Sequence, residues 1–426
     1  MVLENPSPHT PSLRANAKQS IQPQTEEIAT PLARNDEATP RLMPKETRGL
    51  TPALRFPEFS GEWEEKSLKQ VCEMQAGKFI PASSIKENQT INLYPCYGGN
   101  GLRGYTEEYT HTGEYPLIGR QGALCGNVNF VQGKFYATEH AIVTSPKNKI
   151  DSKWLFYQLG RLNLNRLATG QAQPGLSVDT LKSVHSFIPV IQEQQKIADF
   201  LTAVDARIAH LQQKHSLLQT YKKGLMQQLF SQALRFTQPN GSPYPAWEEK
   251  RLGEVFNERS ERGNPEAELL SVTLNQGIVK ASLMDRTISA STDRGNYKTV
   301  YTNDIVYNSM RMWQGASGVS SCYGIVSPAY TVIIPNQNQD SLFWAYYFKL
   351  SKNIHIFKRC SQGLTSDTWN LKFPAFSKIK MFFPCKEEQQ KIAACLTAVD
   401  AKISLTAQAI QHAQAFKKGL LQQMFV

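Results

Sequence analysis

Two stretches of the chain carry apolar residues at a 3.5-residue spacing sustained over about five heptads. In the first, Ile197, Val204, Leu211, Leu218 and Leu225 form one seam line, and Leu201, Ile208, His215, Lys222 and Leu229 form the other. In the second, Ile392, Val399, Thr406, Ala413 and Leu420 run beside Leu396, Ile403, Ile410, Lys417 and Met424. No proline interrupts either run. A narrow seam of this period predicts long helices that pair with each other as a coiled coil, in preference to two amphipathic helices on separate cores. The polar members His215, Thr406, Lys222 and Lys417 suit positions that fix register. Elsewhere short β-rich runs (Tyr115–Ile118, Ala141–Val143, Tyr330–Ile334) alternate with Gly, Asn and Ser turns. Helices are predicted near Trp154–Leu159 and Leu342–Leu350. These segments read as mixed α/β. Residues 1–53 are rich in Pro, Thr, Gln and Asn without periodicity, which predicts a disordered tail.

The two helical runs are copies. Glu193-Gln194-Gln195-Lys196-Ile197-Ala198 recurs as Glu388-Gln389-Gln390-Lys391-Ile392-Ala393. Leu201–Ala206 recurs as Leu396–Ala401, and Lys222–Leu225 as Lys417–Leu420, all at one constant offset. About half of some forty positions are identical, and each copy closes on a phenylalanine, Phe230 or Phe425. The starts of the two halves also match: Leu54-Arg55-Phe56 precedes Trp63–Lys66, and Leu234-Arg235-Phe236 precedes Trp247–Lys250. Between these anchors the halves align only loosely, for instance Gly119–Pro146 with Asn308–Pro335. The resulting division is a tail at 1–53, a variable domain at 54–190, a helix at 191–233, a second variable domain at 234–385 and a second helix at 386–426. A constant frame thus carries two unlike inserts.

Length and charge narrow the function. A chain of 426 residues exceeds one ordinary core. The net charge of +11 lies in the folded part, because residues 1–53 balance, and it suits a surface that tracks phosphates. Seven cysteines show no metal-ligand spacing, and no apolar run approaches membrane length, so a cytoplasmic protein is expected. There is no phosphate-binding G-x-x-x-x-G-K-[ST] loop, no dinucleotide fingerprint and no Asn-Pro-Pro-aromatic tetrapeptide. Glu58, Glu64 and Lys66 superficially resemble a nuclease carboxylate–carboxylate–lysine set. The second half repeats Glu248 and Lys250 but lacks the other acid, which favours a plain charged edge. His111, His140 and His355 have no partner assignable from sequence.

The frame resembles the specificity subunit of type I restriction–modification enzymes. The matching strings are Leu54–Pro57 with Gly61–Glu64, Pro189 before the Glu193–Ala198 string, their second copies, and Tyr97-Gly98-Gly99-Asn100-Gly101-Leu102-Arg103-Gly104-Tyr105 with Gly119–Gly122. The likeness covers about residues 54–426. It implies two target recognition domains joined by antiparallel spacer helices, each domain reading half of a split, non-palindromic site on double-stranded DNA. It also implies two docked methylation subunits and further translocase/nuclease subunits. S-adenosylmethionine, ATP and Mg2+ would serve those partners, with no cofactor or catalysis in this chain. A stand-alone DNA-binding scaffold, or the specificity part of a related fused restriction–methylation system, is the alternative.

Base reading needs planar or forked donors and acceptors. Arg103, Arg120, Gln121, Gln171 and Gln173 supply them in the first domain, and Arg294, Asn296, Arg311, Gln314 and Gln362 in the second. Arg suits guanine, and Asn or Gln suits adenine, each pair discriminating by about 1–3 kcal/mol. Lys134, Lys298 and Lys358 suit phosphates.

Overall fold

The computed structural model describes residues 51–170, 174–274, 276–284 and 294–426. The tail expected at 1–53 therefore falls almost wholly outside the described residues, as do Gln171 and Gln173.

Both seams fold as single helices, Ile191–Phe230 and Lys386–Gln423, of 40 and 38 residues. Pro189 and Pro384 stand just before them and disfavour an earlier start. Acidic residues in each first turn (Glu193; Glu387 and Glu388) complement the helix dipole. At 1.5 Å per residue the rods are about 57–60 Å long. Every seam residue named above is buried or half-buried, while neighbours such as Leu217 and Leu405 are exposed. The helices run antiparallel. Lys222 pairs with Asp400 at 2.6 Å, and Lys417 pairs with Asp205 at 2.6 Å, one bridge being the repeat image of the other. Two of the polar seam residues, Lys222 and Lys417, thus set register. Thr406 instead folds its hydroxyl back onto the Lys402 carbonyl, at 2.7 Å.

The first head is built on a six-stranded sheet. Its order is Cys72–Ala76, Ala141–Pro146, His111–Gly119, Val128–Ala137, Tyr94–Gly98 and Gly101–Thr106. The helix Ser152–Arg161 packs on it, started by Asp151, whose carboxylate accepts from Trp154 N at 2.8 Å. The second head has a four-stranded sheet, ordered Phe256–Arg259, Tyr330–Pro335, Ile305–Asn308 and Ser317–Val319. Its helix Ser341–Phe348 is capped in the same way by Asp340. Gly119 and Asn308 end equivalent strands, as do Pro146 and Pro335, so the loose alignment of the halves is a structural one.

Each head's core is completed by both rods. Ile197, Ala198 and Leu201 from the start of the first helix join Leu420, Met424 and Phe425 from the end of the second, against Trp63 and Trp154. In the other head, Ile392, Ala393 and Leu396 join Leu225, Leu229 and Phe230, against Trp247 and Phe343. Phe425 stacks on Trp154 and meets Trp63 edge-on, both at 6.2 Å, and Phe230 lies 5.4 Å from Tyr347. Burying such a ring contributes about 1.5–3 kcal/mol. The heads are thereby fixed at opposite ends of the rod pair.

The repeated Glu-Gln-Gln-Lys string is the joint. Glu193, fully buried, accepts a bidentate Arg55 (Nε and Nη2, both 2.7 Å), and Glu388 holds Arg235 likewise (3.0 and 2.7 Å). That hydrogen bonding raises both guanidinium pKa values above the ordinary. Gln194 accepts from Asp151 N and donates to Pro189 O, both at 2.8 Å. Gln389 does the same for Asp340 and Pro384, at 2.9 Å. Lys196 pairs with Glu58, and Glu64 with Lys66 at 2.9 Å, so the acids of the nuclease-like set are taken up separately. Tyr157 donates to Asp205 at 2.8 Å, and Tyr346 to Asp400 at 2.7 Å, welding each head helix to the rod bridges. Burial, then the neighbouring carboxylate, pushes the Tyr346 phenol up to about 12.

Candidate nucleic-acid interface

In both heads two loops meet beyond the end of a central strand, joined by the same backbone bonds. In the first, the loop leaving Gly119 runs beside Thr169 and Gly175, which bridge each other both ways (2.9 Å each way). Leu176 N then donates to Arg120 O at 2.9 Å, and Gly122 N to Pro174 O at 3.0 Å. In the second, Gln362 and Asn370 bridge both ways (2.9 and 2.8 Å), and Leu371 N donates to Ser309 O at 2.9 Å. A shared backbone scaffold thus presents unlike side chains.

The first head adds the tip of a hairpin. The Tyr97–Tyr105 motif forms two strands that turn at Gly99-Asn100, with Gly101 at φ 95°. Arg120 N donates to the His140 carbonyl at 2.8 Å, drawing in a third loop. Gly98, Asn100, Arg103, Gln121 and His140 line the resulting cleft of about 390 Å³. Arg103 and Gln121 are exposed within it and Arg120 is half-buried. Sequence reasoning missed His140, whose Nδ1 lies 2.9 Å from Gln121 Oε1 and whose Nε2 lies 3.2 Å from Glu139 Oε1. Only its place two residues after Thr138, in a polar Thr-Glu-His turn between strands, hinted at it. Lys134 lies elsewhere, near the start of the strand Tyr94–Gly98 and over the rings of Tyr109 (4.8 Å) and Tyr94 (5.9 Å).

Close backbone approach dictates the glycines here. A Cβ on Gly119 would sit 2.4 Å from Gly99 O and 2.9 Å from Leu124 O, both backbone atoms. Gly119→Ala should therefore cost about 1–3 kcal/mol by overpacking, seen as a lowered unfolding midpoint. Gly122 has nothing within 4 Å of a Cβ but sits at φ +89°, so Gly122→Ala should cost about 1–2 kcal/mol through backbone strain rather than overpacking.

In the second head Arg311 and Gln314 are exposed on the turn at 311–315, with Trp313 between them. Trp313 meets Trp369 edge-on at 5.2 Å, and Lys358 Nζ lies 5.2 Å over the Trp369 ring. Arg311, Gln314, Lys358 and Gln362 thus lie on the joined loops or the helix feeding them. Lys349 Nζ donates to Gly315 O (2.7 Å) and Leu274 O (2.8 Å), and burial lowers its pKa to about 8. Arg294 and Asn296 belong to a different place, the entry to the ribbon Lys298–Val300/Gly324–Val326. Lys298 is engaged inside the head, donating to Tyr330 O at 3.0 Å and pairing with Glu258 at 3.3 Å.

Two unlike polar loop surfaces, held at the ends of one duplicated helical rod, define a two-headed protein. Residues 60–220 and 245–415 match the family described as type I restriction modification DNA specificity domain, and the chain belongs to that family. It is 47% identical over 153 residues to the type I restriction enzyme EcoprrI specificity subunit of Escherichia coli, covering 36% of this chain and 38% of that one. It is 30% identical over 149 residues to a putative type I restriction enzyme specificity subunit of Haemophilus influenzae, covering 34% and 38%. These alignments span little more than a third of the relatives' length. The fold is similar to that of the type I restriction-modification S subunit from M. genitalium, with a TM-score of 0.61 at 17% identity, over 88% of this chain and 99% of that one. Among the described residues no helix is long and apolar enough to cross a membrane.

Proposed function

We infer that this chain is the DNA-reading subunit of a type I restriction–modification complex, with no chemistry of its own. Residues 54–190 and 234–385 act as target recognition domains, and 191–233 and 386–426 as spacers between them. The observation that carries this reading is the same backbone-joined loop pair, with different side chains, on two heads related by one antiparallel rod. Matching frames orient the heads alike, and unlike loops select unlike half-sites, so the target is bipartite and non-palindromic. Arg103, Arg120, Gln121, Arg311, Gln314 and Gln362 are the base-reading candidates best placed for it, and Lys358 the best-placed phosphate contact.

Methylation subunits dock on the frame, and the repeat supports two of them. Tyr221 and Phe416 are repeat equivalents, both large and more than half exposed on the rods, so each offers the same foothold. S-adenosylmethionine, ATP and Mg2+ are used in those partners and in the restriction subunits, in the cytoplasm. Replacing segment 57–188 with another recognition domain tests the reading. Mapping methylated bases in cellular DNA should then show one half-site changed and the other retained. A change in both halves would overturn modular reading.

A further inference from the structure

Gln121 does not have both ends of its amide free. A bidentate adenine contact needs the carbonyl for N6–H and the NH2 for N7, yet Oε1 faces His140 Nδ1 at 2.9 Å. The other imidazole nitrogen, Nε2, faces the Glu139 carboxylate at 3.2 Å. An ionised carboxylate only accepts, so Nε2 carries its proton in either charge state of the ring. Nδ1 is the atom whose state varies. Protonated, it donates to Gln121 Oε1 and leaves the amide NH2 directed to the cleft. Bare, it accepts from the NH2 after a half-turn of the amide and leaves the carbonyl outward.

We propose that His140 is a positioning residue for base reading, selecting which end of the Gln121 amide meets the DNA. This rests on the reading of the cleft as the surface that meets the first half-site. An NH2 facing outward selects bases that offer acceptors in the major groove, such as guanine O6 and N7. A carbonyl facing outward selects the amino groups of adenine or cytosine. One side chain thus reads two patterns, and adenine by a bidentate contact is not among them. The imidazole is anchored through its backbone, since the His140 carbonyl accepts from Arg120 N at 2.8 Å. Charged groups on the surrounding elements are Glu139 beside it, Arg103 on the hairpin and Arg120 on the adjoining loop, with Lys78 on the segment bridged to Thr138.

The test uses the full chain assembled with its methylation subunits and a duplex library randomised across the first half-site, at pH 5.5 and pH 8. DNA bases keep their protonation across that interval, so a changed preference reports a change in the protein. At one base pair the preference should move from acceptor-bearing to amino-bearing bases by about fivefold or more, with the second half-site unchanged. His140→Phe should abolish the movement while retaining second-half-site selection, which reports that the variant is folded and assembled. An immobile preference in the unaltered protein, or a movement that survives His140→Phe, overturns the proposal. Gln121→Ala separates the two levels. If it alters first-half-site selection, the cleft reads bases whatever His140 does; if it leaves selection intact, the reading of the cleft falls as well.

Discussion

Arg55→Met should destabilise the first head and its helix by about 3–5 kcal/mol, far more than a surface ion pair would suggest. The reason lies in the partner. Glu193 is almost wholly buried, and both its oxygens are taken by Arg55, whose guanidinium also donates to Gly61 O at 2.6 Å. Removing the arginine strands a carboxylate among apolar residues on the first turn of the rod, where it loses two charge-assisted hydrogen bonds at once. Arg55→Met with Glu193→Met should be milder than Arg55→Met alone, because no buried charge is left behind. The measurement is hydrogen exchange across Leu54–Ser67 and the start of the helix, together with the first unfolding transition in denaturant. Arg235→Met should reproduce the effect in the second head through Glu388. A loss below about 1 kcal/mol would mean that water reaches Glu193.

The frame was legible in the sequence because its physics is local and repeated. A 3.5-residue seam demands a partner helix, and a constant offset demands a second copy. Lys222 and Lys417 as register residues follow from the same pattern. Less was legible where partners are distant. Glu193 and Arg55 lie 138 residues apart, so the buried pair behind the Glu-Gln-Gln-Lys string could be recognised as repeated but not explained. The sheet order was equally hidden: Ala141–Pro146 lies between Cys72–Ala76 and His111–Gly119, which no alternation of apolar residues encodes.

Surface chemistry was the least legible part. Lys298 and Lys358 look alike in sequence, yet one is tied to Tyr330 and Glu258 inside the head and the other lies over Trp369 beside the joined loops. Arg103, Arg120 and Gln121 stand in glycine-punctuated strings of the sequence, and those strings meet around one cleft. His140 joins them through loop closure, which periodicity does not report.

Lengthening both rods should change the distance between half-sites in steps that follow two periods at once. One heptad inserted into each helix, between Leu211 and Leu218 and between Thr406 and Ala413, preserves the antiparallel seam and the Lys222–Asp400 and Lys417–Asp205 bridges. It separates the heads by about 10 Å, near three base pairs of duplex. Three base pairs also rotate the groove by roughly 100°, since B-DNA turns once in about 10.5 base pairs. A rigid rod cannot follow that rotation, so the single-heptad protein should methylate weakly or not at all. Three heptads in each helix add about 31 Å, or roughly nine base pairs. That returns the second groove to within about 50° of its original face. This longer protein should recover methylation at a target whose unread gap has grown by nine or ten base pairs, while both half-site sequences stay the same. Circular dichroism and thermal unfolding would verify that the extended rods fold. If either insertion left the original gap in use, head separation would be set by something other than the helices, and the rod would be a docking platform alone.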